Sequence, residues 1–373
     1  MAALAATGRA VGAVLAVPLG PWVEFRRKRP VMVGMDLVRF AALTSVPAAY
    51  ALGGLGFTQL LLVSVVCAAA GIAFNAAGGA YLKTLLPPQD LLTANGRFEA
   101  TTWSATMLGP PLGGAAVGWL GPVVTVTADA VSYLLSALGI RAIGGQEPRP
   151  ERAREPRLRA GELFEGWRHI LTRPALRPLF FNAIVVNGLI MASEPLLAVL
   201  LLGDLGFTPW QYGLVFAAPC AGGLVGARLA RPLVTRFGQH RVMLTSGTLR
   251  ACWPIGLVFV QPGVPGIVLV IGVQLGLVTC CGVFNPVLAT YRLEHTASDR
   301  VARTLTAWSV SSSAAIAALT AGWGLLAAAT GIRTAIALAG TVLLVTPLLL
   351  PRRAPVPPAE PSGTAVQGDP GRV

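Results

Sequence analysis

Charged residues are scarce in this chain. Only 12% of its 373 residues are Asp, Glu, Lys or Arg, while 54% are hydrophobic, and the mean hydropathy is +0.66. A soluble domain has about 25% charged residues, because its surface must be hydrated. The low charge content therefore excludes an ordinary water-soluble protein.

Residues that carry catalysis or bind cofactors are also few. The 3 histidines fall in polar connections and the 5 cysteines lie inside apolar runs, with no Cys-x-x-Cys pair and no metal-ligand spacing. The phosphate-binding pattern GxxxxGK[ST] is absent too. We therefore expect no enzyme activity, no bound metal and no cofactor, and no energy supply from nucleotide hydrolysis by the chain itself.

Long apolar segments make up most of the chain. A helix needs roughly 20 apolar residues to cross the hydrocarbon core of a bilayer, and lipid offers no hydrogen-bond partner to any open backbone. Eleven such segments lie near residues 3–22, 31–52, 57–82, 97–120, 122–142, 179–203, 211–231, 242–261, 264–290, 304–329 and 333–350. The sequence predicts an all-α integral membrane protein with about eleven transmembrane helices.

Basic residues are concentrated at alternate connections between these segments. A net charge of +13 would suggest nucleic acid binding if the charges formed one soluble face. Because they sit at the ends of apolar segments, they more simply set the topology and meet anionic lipid headgroups. We expect no nucleic acid partner and a multi-pass protein of the cell inner (cytoplasmic) membrane, with its basic side and C-terminus in the cytoplasm.

A long polar connection divides the segments into two groups. We predict an N-terminal bundle of five spans over residues 1–142, a cytoplasmic linker over 143–176, a C-terminal bundle of six spans over 177–350 and a disordered cytoplasmic tail over 351–373. Residues 29–41 align without gaps with residues 240–252, which pairs Arg39 with Arg250. Repeated halves are typical of secondary transporters. We expect the chain to act as a monomer.

A loop motif precedes each copy of this repeat. The first loop contains Gly20, Glu24, Arg26, Lys28 and Arg29, and the second contains Arg236, Gly238 and Arg241. The spacing resembles the loop signature of the major facilitator superfamily, although Glu24 replaces the family's Asp and Phe25 its Arg, while Thr235 holds the acidic position in the second loop. The resemblance implies that these loops, together with Asp36, Arg39, Glu99 and Arg250, form a cytoplasmic gate.

A second pattern follows in the segment that begins near Arg97. Its residues are Gly96, Ala105, Gly109, Pro110, Gly113 and Gly114. They resemble the antiporter motif of the same superfamily, with Ala105 in place of one glycine. Small side chains let helices approach closely, and proline permits a bend. Ordinary helix packing is the alternative role for these residues.

The resemblance also bears on the number of helices. Residues 85–98 and 165–179 resemble the superfamily branch that includes siderophore and multidrug exporters. The family has twelve spans in two pseudo-symmetric bundles, and its loop signature follows the second span. Here the signature follows the first apolar segment, which implies that the first family helix is missing. Either the reading frame begins upstream of Met1 or the gene is truncated.

Several residues within the segments are candidates for transport itself. Asp129 and Glu194 are candidates for proton coupling, because a charge within the membrane is costly and usually functional. A fixed hydrogen bond between helices is the alternative role for Asp129. Asp36 and Arg39 are one helical turn apart and are expected to pair. Interfacial anchoring or hydrogen bonding between helices is the alternative role for each of the candidates to line a substrate cavity, which are Trp103, Asn182, Asn187, Gln274, Asn285 and Trp308.

The whole pattern predicts a secondary active transporter. We expect a proton-coupled antiporter that exports small amphipathic molecules, drug-like or siderophore-like, by alternating access. A facilitator or uptake transporter of the same fold is one alternative. A truncated membrane scaffold or sensor that no longer transports is another.

Overall fold

The structure is a computed structural model that describes residues 11–144 and 160–351. All regular secondary structure in these residues is helical. In the N-terminal half, residues 11–16 are helical and precede α1 (Leu19–Glu24), α2 (Lys28–Ala51), α3 (Phe57–Leu85) and α4 (Pro88–Ala142). Two short helices follow in the linker, α5 (Ala160–Leu163) and α6 (Glu165–Thr172).

The C-terminal half contains six longer helices. They are α7 (Arg177–Val199), α8 (Pro209–Phe237), α9 (Gln239–Cys252), α10 (Val264–Glu294), α11 (Val301–Thr330) and α12 (Ile332–Val345). A π-helical turn at Leu200–Asp204 extends α7, and 3-10 turns at Trp253–Phe259 and Thr346–Leu349 extend α9 and α12. The 3-10 turns bring α9 and α12 to 21 and 18 residues, which is long enough for a membrane span.

Nine helices of the described residues are long and apolar enough to cross a membrane. One of them, α4, holds two of the predicted segments, because Gly121 has φ +81° and breaks the helical geometry just before Pro122. The nine helices therefore correspond to ten of the eleven predicted segments. The remaining segment, residues 3–22, is described only from residue 11 onwards, so its crossing of the membrane stays a prediction.

The two ends of the bundle differ in chemistry. At one end, which we call the turn end, chain reversals use glycines with positive φ, a conformation that glycine adopts without strain: Gly53, Gly121, Gly206, Gly263 and Gly331. The opposite end carries most of the lysines and arginines, and we call it the basic end. Large apolar side chains such as Leu52 and Trp119 are exposed on the outside of the bundle, as expected for a surface that contacts lipid.

The halves meet along two sets of helices, and part of the linker joins them. α1 and α3 pack against α11, while α4 packs against α8 and α10. In α6, Ile170 is fully buried and Trp167 Nε1 donates a 2.7 Å hydrogen bond to Ser311 Oγ of α11. The end of the predicted linker is thus an ordered helix attached to the C-terminal half. Residues 145–159 of that linker and residues 352–373 of the predicted tail lie outside the described residues.

Candidate transport cavity and gate

A cavity of about 1110 Å³ lies between α4 and the helices of the C-terminal half. α7, α8, α10 and α11 form most of its wall, and Arg250 near the end of α9 contributes as well. The cavity reaches the turn end, where Pro209 and the exposed Trp210 form its rim. This volume suits a drug-sized molecule, and a mainly apolar wall with a few polar groups suits an amphipathic one.

Five of the six predicted cavity residues are in this wall, namely Trp103, Asn187, Gln274, Asn285 and Trp308. Some of them also join helices, which was their alternative role. Asn187 Nδ2 lies 3.3 Å from Ser312 Oγ, and the Trp308 ring meets Phe180 edge-on with 5.1 Å between centroids. The wall is therefore held together by the same side chains that face the cavity.

Asn182 does not line the cavity, contrary to the prediction. It is fully buried: its Nδ2 donates to Thr346 O at 2.9 Å, and its Oδ1 accepts from Arg250 Nη2 at 2.6 Å. Helical geometry explains the difference from Asn187, because residues five apart project in different directions from a helix of 3.6 residues per turn. Asn182 faces α9, and Asn187 faces α11.

The two predicted proton-coupling carboxylates lie in different places. Glu194 is in the cavity wall, on α7 near the turn end. Asp129 is in the second part of α4, where its side chain is exposed, and it is not among the residues that line the cavity. Of the two, Glu194 alone contacts the space that a substrate would occupy.

A further carboxylate, Glu99, joins the two halves deeper in the membrane. Its Oε1 accepts hydrogen bonds from Trp103 Nε1 at 2.9 Å and from Asn285 Nδ2 at 2.7 Å. Both donors are cavity residues, so Glu99 lies beside the cavity wall rather than at the gate, where the sequence placed it. The i, i+4 spacing to Trp103 was visible in the sequence, but the approach of Asn285 depends on the docking of the halves.

Arg250 was predicted to belong to the gate, but it faces the cavity. α9 begins at the basic end with Gln239, and eleven residues of helix carry Arg250 about 16 Å into the membrane. Arg250 is only 4% exposed, and its guanidinium carbon lies 3.6 Å from the centroid of the Phe284 ring. Its repeat partner Arg39 instead forms an ion pair with Asp36, with 2.6 Å between Nη2 and Oδ1.

Contacts between the halves close the basic end. Arg303 at the start of α11 forms ion pairs with Glu24, at 3.0 Å between Nε and Oε2, and with Glu165 of α6. Lys83 of α3 donates from Nζ to the backbone carbonyl groups of Leu293 and Thr296. The cavity therefore opens to the turn end and is separated from the basic end by paired charges.

Glu24 is the last residue of α1 and follows the first apolar segment. Its carboxyl group is partly buried, and this burial affects its pKa. Burial raises the pKa of the Glu24 carboxyl from 4.5 to about 7, although the cations of Arg303 and Lys28 act in the opposite direction. The penalty of burying the charged form thus outweighs the attraction of the two cations. Protonation of Glu24 would remove the negative charge of this contact.

Glycines allow a close approach of the halves at the basic end. A Cβ built on Gly20 would lie 3.1 Å from Thr306 Cβ, and one built on Gly96 would lie 3.2 Å from Ala227 O. Thr306 and Ala227 belong to the C-terminal half, so a larger side chain at either glycine would push the halves apart. Sequence reasoning found both glycines through motif spacing but could not identify what they contact.

The remaining residues of the loop motifs have local or surface positions. Lys28 Nζ donates to Val23 O at 2.8 Å, and Arg29 Nε donates to Ile140 O at 3.1 Å. Gly238 has φ +83° at the sharp turn between α8 and α9, which explains why glycine is suited to this position. Arg26, Arg236 and Arg241 of the loop motifs are exposed at the basic end.

The antiporter pattern divides into two parts on α4. Gly96 contacts α8, and Pro110 lines the cavity. Ala105 is exposed. At three further glycines the described residues show no close packing with another helix, because a Cβ built there would have no neighbouring atom within 4 Å. They are Gly109, Gly113 and Gly114.

Two helical halves, with a cavity between them that opens at one end, define a membrane transporter of the secondary type. The model of the Major Facilitator Superfamily matches residues 1–278 and 179–370 of the chain. The chain belongs to this family, and it is accordingly a transporter and not an enzyme. The predicted all-α transporter fold is confirmed.

Relatives support the same assignment. The multidrug efflux pump Tap of Mycobacterium tuberculosis is 28% identical over 286 residues, which cover 74% of this chain and 67% of Tap. The uncharacterized transporter YvqJ of Bacillus subtilis is 27% identical over 242 residues, which cover 64% of this chain and 57% of YvqJ. The match to Tap confirms the resemblance to the multidrug exporter branch.

Solved structures share the fold at low sequence identity. The human organic anion transporter MFSD10 has a TM-score of 0.77 and 16% identity, covering 93% of this chain and 83% of that one. A bacterial homologue of the iron transporter ferroportin in an outward-facing state has a TM-score of 0.74 and 16% identity, covering 94% and 89%. At this identity the likeness establishes the fold alone.

Proposed function

We propose that this transporter exports small amphipathic molecules across the cytoplasmic membrane by alternating access. The observation that carries the proposal is the cavity between the halves, which reaches the turn end and is closed at the basic end by the ion pairs of Arg303. The basic end, and the C-terminus with it, would be cytoplasmic because Lys and Arg favour that side. Export is supported by the name multidrug efflux pump that the Tap relatives carry.

Export requires the basic end to open in turn. Arg303 then has to release Glu24 of the N-terminal half, and Lys83 has to release its carbonyl partners. Gly20 and Gly96 would move away from the C-terminal half, while α4 and α8 close over the cavity at the turn end. Because Gly96, Glu99 and Pro110 all lie on α4, we propose that this helix couples the gate to the cavity, with its antiporter pattern favouring exchange. A single chain is the proposed working unit.

Glu194 is our candidate for the proton-coupling site. A carboxyl group in the cavity wall can take a proton from the outer side and lose it when the cavity faces the cytoplasm. The position of Glu194 in the wall supports this role, whereas Asp129 is the second candidate because it lies away from the cavity. Exchange would follow if protonation of Glu194 accompanies release of the exported molecule.

Proton release from inside-out membrane vesicles tests the proposal. The vesicle interior is acidified by respiration and monitored with acridine orange, and a related pair of dyes is then added separately: anionic anilinonaphthalenesulfonate and neutral phenylnaphthylamine. Wild-type vesicles should release protons when at least one dye is added. Glu194→Gln should abolish the release, and the matched variant Asp129→Asn should retain it.

If Asp129→Asn abolished proton release and Glu194→Gln retained it, Asp129 would be the proton-coupling site instead. Failure of both dyes to move protons, in vesicles that contain folded wild-type protein, would overturn proton-coupled export of this class of molecule. Vesicles without the transporter supply the background for passive leakage. Dye accumulation measured in the same vesicles distinguishes export from uptake by its direction.

A further inference from the structure

Arg250 is a buried cation without an acidic partner in the part of the chain that the structure describes. None of the Asp and Glu residues in 11–144 and 160–351 forms an ion pair with it. One nitrogen of its guanidinium group, Nη2, donates to Asn182 Oδ1, while Nε is buried with no hydrogen-bond partner. An unpaired charge in a membrane interior is costly and usually has a function. Because Arg250 lines the cavity, that function concerns what the cavity holds.

The internal repeat shows what is missing. At the offset that pairs Arg39 with Arg250, the partner of Arg39, Asp36, is replaced by Gly247. A Cβ on Gly247 would lie 2.9 Å from the Phe284 ring, so the glycine makes room for the ring on which Arg250 stacks. An aromatic ring holds the guanidinium in place through a cation–π contact but does not neutralise it. The C-terminal half therefore retains the arginine without its acid.

Neither Glu194 in the cavity wall nor Glu99 beside that wall forms an ion pair with Arg250. Arg250 contacts α7 at Asn182, and Glu194 is twelve residues further along that helix, which corresponds to about 18 Å. Glu99 has its Oε1 occupied by Trp103 and Asn285, which are neutral donors. Arg250 and Glu194 thus occupy different depths of the cavity, with the cation deeper and the acid nearer the rim.

We propose that Arg250 binds the anionic group of the substrate, so that the cavity takes amphipathic organic anions. The guanidinium fork matches a carboxylate, sulfonate or phosphate group. Leu277 and Trp308 line the same cavity and provide an apolar wall for the ring system of the same molecule. This inference rests on the proposed export function, because it names the substrate class of the same cavity.

Direct binding of the two dyes to the full chain in lipid nanodiscs tests the inference. Anilinonaphthalenesulfonate and phenylnaphthylamine share one ring skeleton and differ in the sulfonate, so their affinities isolate the contribution of the negative charge. Fluorescence titration, corrected with empty nanodiscs, gives each dissociation constant. Wild-type protein should bind the anionic dye about tenfold or more tightly than the neutral one, as expected for a charge-assisted contact.

Three variants separate charge from folding. Arg250→Gln removes the cation, Arg250→Lys retains it, and Asn182→Asp leaves the arginine in place while pairing it internally. Arg250→Gln and Asn182→Asp should each lower the affinity for the anionic dye by about tenfold and change the affinity for the neutral dye by less than about twofold. Arg250→Lys should keep most of the preference for the anionic dye. Size-exclusion chromatography of each nanodisc sample checks that the variant is folded.

The outcomes are distinguishable. The assignment of Arg250 would be overturned if wild-type protein bound both dyes with equal affinity. It would also be overturned if the folded variants lost affinity for both dyes to the same extent. Proton release by the neutral dye alone would support the proposed export and contradict the anionic substrate class. Tight binding of the anionic dye without any proton release would support Arg250 and contradict proton-coupled export.

Discussion

Arg39 and Arg250 occupy the same position in the two copies of the internal repeat, at similar depths in the bundle, yet their surroundings differ. Arg39 pairs with Asp36 and lies over the rings of Phe74 and Tyr133, each 4.6 Å away. Arg250 lies over the ring of Phe284 and has no acidic partner among the described residues. A neutral pair can serve as a structural anchor, whereas a lone cation beside a cavity is available to a ligand. One repeat has thus produced a scaffold position in one half and a candidate binding position in the other.

The largest effect is expected for Asp36→Asn. Removing the acid leaves the Arg39 charge buried without compensation, and breaking such a pair costs about 3–5 kcal/mol. Arg250→Gln breaks no ion pair and removes a buried charge that has no acidic partner among the described residues, so it should destabilise the protein less than Asp36→Asn. Thermal unfolding of both purified variants measures the difference. Equal loss of stability in the two variants would contradict the distinction between anchor and binding position.

Restoring an acid in the second repeat gives a smaller effect on stability and a specific effect on binding. Gly247→Asp and Gly247→Ala both place a Cβ against Phe284 and Leu350, so each should destabilise the protein by about 1–3 kcal/mol. Gly247→Asp alone should weaken binding of the anionic dye, because its carboxylate would neutralise Arg250. Similar dye affinities in the two variants would show that packing, and not charge, controls binding.

The first loop motif should make closure of the basic end depend on pH through Glu24. With the basic end closed, the pKa of Glu24 is about 7, against an ordinary value of 4.5 once the group is exposed to water. The closed arrangement therefore binds a proton more readily, so lowering the pH from about 8 to about 5.5 should increase the closed fraction. Glu24→Gln should remove this dependence. Distances between spin labels on Arg26→Cys and Arg300→Cys, after replacement of the native cysteines, report the closed fraction.

The smallest effect is expected at the corresponding position of the second loop. Thr235 aligns with Glu24, but it is exposed, and its hydroxyl group donates to Pro232 O of its own helix. Thr235→Ala should change stability by less than about 0.5 kcal/mol and should leave the pH dependence of the closed fraction intact. A clear shift in that dependence would mean that the second loop also contributes to the gate.

Local patterns in the sequence were sufficient for the helices and for the pair of Asp36 and Arg39. Ten apolar segments match spans because hydropathy and backbone hydrogen bonding act within each segment. The contacts of Arg303 with Glu24 and of Glu99 with Asn285 were not predictable, since each depends on how the two halves dock. Asn182 and Arg250 were misplaced for the same reason: sequence gives the depth of a residue in a helix more readily than the neighbour it faces.

The attachment of α6 to α11 has a consequence for how the two halves are connected. Trp167 and Ile170 hold the linker helix on the C-terminal half, while Arg303 joins it by an ion pair through Glu165. During the rocking motion α6 should therefore travel with the C-terminal half as one rigid unit. A polypeptide broken ahead of α6 would leave both fragments with their own packing contacts, so the two halves are suited to assemble from separately expressed pieces.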